Sequence, residues 1–161
     1  MKDKIKLGLV VLIAVSVGIT GWLIISNQLQ NSNQKFEIYL IGNKTNELVI
    51  SDEVILSYNQ TSHEIKLNQE GIDRVKTMDL IRKPFIAKLN GRPIFNGSFW
   101  SDIMCSSFQG IVITDILAIQ NGQTDTLRID PCYPSQLCEG FNAGYNSELL
   151  NHFQKSGKLI Q

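Results

Sequence analysis

The residues able to do chemistry are few: three cysteines, two histidines and one pair of adjacent acids, Asp52 and Glu53. Cys132 and Cys138 stand six apart within DPCYPSQLCEG, where Pro131, Pro134 and Gly140 imply a looped backbone that brings the two Cα atoms within bonding range. A disulfide is the expectation, with reduced thiols as the alternative in a reducing compartment. A redox-active pair would take the tighter Cys-x-x-Cys spacing. Cys105, left over in FWSDIMCSSF, could join His63 or His152 as a cysteine-histidine nucleophile, or could be a small buried apolar residue. Asp52 and Glu53 could be paired catalytic carboxylates. Neighbours in sequence point apart on a helix, however, so a helix start is the better reading.

Metal, phosphate and hydrolase patterns are missing. There is no His-Glu-x-x-His, no Gly-x-Ser-x-Gly, and no Walker or dinucleotide glycine motif. No catalytic residue, cofactor site or metal ligand is therefore assigned. The most suggestive surface is PIFNGSFWSDIMCSSF at 93–108. Phe95, Phe99, Trp100, Met104 and Phe108 there concentrate aromatic and flexible apolar groups, which would form either an exposed partner surface or core from a strand and its return.

Fifteen basic and fifteen acidic side chains leave no net charge, and no basic cluster lies beyond the N-terminal tail. Nucleic acid is excluded as a partner on that ground, since phosphate binding needs concentrated positive charge. Residues 7–25, LGLVVLIAVSVGITGWLII, run without a charge. At 1.5 Å per residue they span about 28 Å, the hydrocarbon thickness of a bilayer. Trp22, Leu23, Ile24 and Ile25 are bulky where a signal-peptide cleavage site needs small residues, so an uncleaved anchor is predicted. Lys2, Lys4 and Lys6 place the N-terminus in the cytoplasm by the positive-inside rule. The expected organisation is a cytoplasmic tail at 1–6, a transmembrane helix at 7–26, a polar linker at 27–34 and one extracytoplasmic domain at 35–161.

Within that domain, FEIYLI at 36–41 reads as a strand, and Ser51-Asp52-Glu53 as the start of a short helix into VILSY. HEIKL at 63–67 alternates like a half-buried strand, and Asn68 caps a helix from Gln69 to about Asp79. Asn90-Gly91 marks a hairpin, with Pro93 forcing an edge or a bulge just after it. GIVITDILAI at 110–119 suggests one strand covered on both faces, followed by an Asn121-Gly122 turn into TDTLRI and a second hairpin. Asn146 or Ser147 caps a last helix, stopped at Gly157. This order predicts an α+β domain, with helices on one face of a mainly antiparallel sheet.

One stretch resembles a known family. IKLNQEGIDRV, followed by KPFIAKLNGRPIFNGSF, within residues 65–99, is similar to the first extracytoplasmic domain of SecD-type translocon subunits in its helix start, Lys-Pro strand and Asn-Gly hairpin. The resemblance implies a ferredoxin-like βαββ half; Asn68 stands where that family has threonine, and no activity or site residue is transferred. The overall pattern is also similar to single-pass membrane proteins of prokaryotes. The expected function is a non-catalytic module that binds a protein or peptide partner outside the cytoplasm. Alternatives are a minor pilin-like subunit, against which Ile13 stands where a glutamate is needed, and a thiol-dependent enzyme.

Overall fold

The computed structural model describes residues 35–101, 103–138 and 145–161. Residues 35–161 form one compact unit. Among the described residues nine strands run as β1 Phe36–Leu40, β2 Glu47–Ser51, β3 Ile55–Asn59, β4 Glu64–Leu67, β5 Pro84–Leu89, β6 Arg92–Phe99, β7 Ile111–Thr114, β8 Thr126–Asp130 and β9 Leu159–Ile160. Among the described residues three helices accompany them: α1 Gln69–Thr77, α2 Ile116–Gln120 and α3 Tyr145–Lys155.

The sheet order is β2-β1-β5-β6-β7-β8-β4-β3-β9. Six pairings are antiparallel, while β6–β7 and β3–β9 are parallel. In a flat sheet β2 and β3 would lie seven strand spacings apart, about 34 Å. Yet only the single 3-10 turn Asp52–Val54 joins them, and four chain steps reach about 14 Å. The sheet must curl into a half-barrel that brings its two ends together. One core fills it, from Phe36, Phe85 and Phe99 on the strands to Val75, Ile116, Leu149 and Phe153 on the helices.

This topology corrects the expected fold class. The domain is α+β, but it is a curled, mixed nine-stranded sheet rather than an open sheet with helices laid on one face. The ferredoxin-like βαββ half is not formed: β4, α1 and the β5–β6 hairpin are all present, but β7 and β8 lie between β6 and β4. The predicted transmembrane helix at 7–26, with the tail and linker around it, falls outside the described residues. Among the described residues no helix is long and apolar enough to cross a membrane.

Local chemistry explains the elements that position the rest. The Asn68 side chain accepts the Gly71 N–H at 3.0 Å, capping α1. Asn90 and Gly91 take φ of 55° and 75°, the paired positive values of a type I′ turn. Pro93 sits at a bulge in an interior strand, not at an edge, because the register slips between Ala87 and Lys88 and spares it a ladder donor. Residues 110–119 are not one strand. Asp115 adopts φ 66°, ending β7 and turning the chain into α2. Gly122 accordingly finishes that helix, its N–H reaching the Ile119 carbonyl at 2.9 Å, and the second hairpin is replaced by strand, helix, strand. The irregular stretch 100–110 is the crossover that a parallel β6–β7 pair requires.

Candidate functional site

The cysteine pair stands as predicted in place. Cys132 and Cys138 are at disulfide distance, with Cα atoms 5.6 Å apart. Their loop is pinned to the crossover by reciprocal backbone bonds between Phe108 and Tyr133, at 2.8 and 3.0 Å.

The aromatic residues of 93–108 go mostly inward. Phe99 is fully buried and meets Phe85 at 5.2 Å; Phe95, 8% exposed, packs edge-on to Phe85 at 6.1 Å. Trp100 is also 8% exposed and lies 5.1 Å from Phe108, which with Met104 is half-buried. These rings build the core and the lid over the crossover. The exposed apolar group of this stretch is Ile103.

Two clefts nevertheless open along β6. The first lies over its start, lined by Ile41, Ile86, Pro93, Ile94, Phe95 and Asn96, with a volume of about 440 Å³. Ile86 pairs with Asn96 while Ala87 and Phe95 face the core, so Ile86 projects from the convex face of the sheet. Ile41, just past β1, is 40% exposed beside it. Nearby on that face Lys88 sits 4.9 Å over the Tyr39 ring, and the Tyr39 hydroxyl donates to Glu37 at 3.1 Å. Burial, together with that hydrogen bond and the charge of Glu37, pushes the Tyr39 phenol above its ordinary range.

The second cleft lies at the carboxyl ends of β6 and β7, with a volume of about 310 Å³. Phe99 pairs with Ile113 in parallel register, and the Trp100 N–H binds the Ile113 carbonyl at 2.8 Å. Two residues further along each strand stand Ser101 and Asp115, both lining the cleft. Leu117, Ala118 and Asn121 of α2 and its C-terminus complete the wall. Nothing local in the sequence marks this pair, because only the crossover brings the two strands side by side.

A third constellation is buried. The Asp52 carboxylate accepts the Phe36 N–H at 2.7 Å and is hydrogen-bonded to His152 Nε2 at 2.9 Å; Lys158 Nζ donates to the Asp52 carbonyl. His152 is 2% exposed. Asp52 and Glu53 diverge, Glu53 pairing with Lys35 at 3.7 Å on the surface. The Asp52–His152 pair thus joins the 3-10 turn, β1 and α3 where the two ends of the sheet meet, and it has no open access for a substrate. Cys105 is a free, exposed thiol. A histidine sealed at 2% exposure and engaged by Asp52 cannot act as its base, and no hydrogen bond among the described residues joins Cys105 to His63.

No protein-family model matches the chain, and neither a curated protein nor a solved structure matches it. Among the described residues no three His, Cys, Asp or Glu side chains converge as metal ligands. Of the three constellations, the Asp52–His152 pair lies within the fold, and the two clefts open to the outside.

Proposed function

We propose that this domain is a non-catalytic binding module, held at the outer side of a cell membrane, that receives an apolar segment of a protein partner in the cleft over the start of β6. The observation that carries this reading is the grouping of Ile41, Ile86 and Pro93 around a cleft on the convex face. An outward sheet face is ordinarily polar, and a concave apolar patch on it is a contact surface. The membrane location is supported by the charge-free apolar run at 7–25, with lysines ahead of it, and by a cysteine pair at disulfide distance, which suits an oxidising compartment.

Two experiments test the reading. A photo-crosslinking side chain placed at Ile86 in living host cells is expected to give a discrete adduct that disappears when Ile94→Asp is added; an unchanged adduct pattern would remove the cleft from consideration. For location, Cys105 is the natural reporter because its thiol is exposed and free. Intact cells treated with a membrane-impermeant maleimide should label it. Labelling only after lysis would place the domain on the other side.

A further inference from the structure

Two ties shape the loop that follows β8. Cys132 and Cys138 stand at disulfide distance within it, and Tyr133 exchanges backbone hydrogen bonds with Phe108 of the crossover, at 2.8 and 3.0 Å. Among the described residues, the other backbone hydrogen bonds of 131–138 stay inside the loop, the Leu137 N–H donating to the Pro134 carbonyl and the Cys138 N–H to that of Ser135. Ser135, Gln136 and Leu137 at its tip are exposed. Trp100 lies under this strap, 8% exposed, with its ring 5.1 Å from Phe108 and 6.5 Å from Tyr133. The indole N–H is closed off from solvent and has no acceptor among the described residues. Burying a donor without a partner costs free energy, and water would supply the partner once the strap lifted. The orphaned N–H therefore favours opening, while the bond between the cysteines restricts the paths open to the loop that carries Tyr133.

We infer that the Cys132–Cys138 bond is a redox-operated latch, which a dithiol reductant opens to release the strap and uncover Trp100. Cys132 is 7% exposed and Cys138 is half-buried beside the exposed tip, so Cys138 Sγ is the sulfur an incoming thiolate reaches. Attack there forms a mixed disulfide and expels Cys132 as a thiolate, which takes a proton. The second thiolate of the reductant then displaces Cys138, which is protonated in turn. Two electrons pass from reductant to chain: one disulfide is lost here, one is gained there, and a small disulfide oxidant reverses the change. With the latch open, the backbone ties of the loop to the crossover among the described residues are the two Phe108–Tyr133 bonds, and an exposed segment held by so few bonds opens locally. The loop begins after β8 ends at Asp130, so the sheet stays folded. The latch is independent of both clefts along β6.

The test uses the full chain carrying Trp22→Phe and Cys105→Ser, which leaves Trp100 as the one tryptophan and the latch as the one source of thiols. Under native conditions dithiothreitol should raise the titratable thiols from none to two. In step with them, acrylamide quenching of Trp100 should rise roughly twofold or more and its emission should shift to the red, the response to local opening. Oxidised glutathione should restore the starting values. The cooperative thermal unfolding transition should persist in the reduced protein. Cys132→Ser combined with Cys138→Ser should be open without reductant and unresponsive to it. Thiols that stay hidden while the domain is folded, or two thiols with unchanged quenching, would overturn the inference. So would loss of the cooperative transition on reduction, or a double-serine variant that does not fold, because the bond would then be a staple of the whole fold.

Discussion

Asp52→Ala is expected to lower the stability of the folded domain by roughly 3 kcal/mol, the cost of breaking a buried hydrogen-bonded pair from one side. The side chain is 17% exposed and serves two groups at once, the Phe36 N–H and the His152 ring. Truncation leaves both without their acceptor, one at the first residue of β1 and the other inside α3. Those elements are tied to the turn that joins the two ends of the sheet, so the loss falls where the half-barrel closes. Asp52→Asn keeps an acceptor for Phe36 and should cost clearly less. Chemical denaturation distinguishes the cases: the midpoint should fall in the order wild type, Asn, Ala at an unchanged denaturant slope. An alanine variant within about 0.5 kcal/mol of wild type would show that the pair does not hold the closure.

Gly97→Ala should be at least as damaging, for a steric reason. A Cβ at this position would stand 2.0 Å from the Ile111 carbonyl oxygen and 2.9 Å from the Phe85 ring. Gly97 is paired on both sides, with Phe85 of β5 and Ile111 of β7, so neither neighbour can withdraw without breaking a ladder. The expected loss is about 3 kcal/mol or more, at the upper end of overpacking effects. Gly91→Ala provides the contrast. Nothing lies within 4 Å of its added Cβ, and only the φ of 75° opposes the change, at about 1 kcal/mol. If the two alanines proved equally mild in thermal unfolding, the close approach of β6 to β7 would be wrong.

Features specified by neighbouring residues could be read along the chain. Asn68 announces α1, Asn90-Gly91 the β5–β6 turn, Gly157 the end of α3, and DPCYPSQLC the cysteine pair. Readings failed where one residue type serves two structures. Asn121-Gly122 has the chemistry of a hairpin turn, yet the same preference of glycine for positive φ ends α2. The acids after Ser51 look like a helix start, but the β-branched and aromatic residues of ILSY that follow favour a strand, and one 3-10 turn remains. The almost continuously apolar run at 110–119, interrupted only by Thr114 and Asp115, has no period with which to separate β7 from α2. Strand order was the least legible level. It decides which residues meet, and so the Asp52–His152 pair and the Ser101–Asp115 cleft emerge only with the fold.

The pairing of β3 with β9 carries a consequence for how the chain reaches this state. Tyr58 aligns with Leu159 and Asn59 with Ile160, while Asp52 waits for His152 a hundred residues downstream. On a ribosome, every strand up to β8 is synthesised before the segment that completes the far edge. A nascent chain therefore exposes the unpaired side of β3 until residues 152–160 have been made, and closure waits for them. Non-local pairing of this kind places folding in the millisecond-to-second range rather than the microseconds of helical bundles. That delay is the interval in which a holdase would find its substrate.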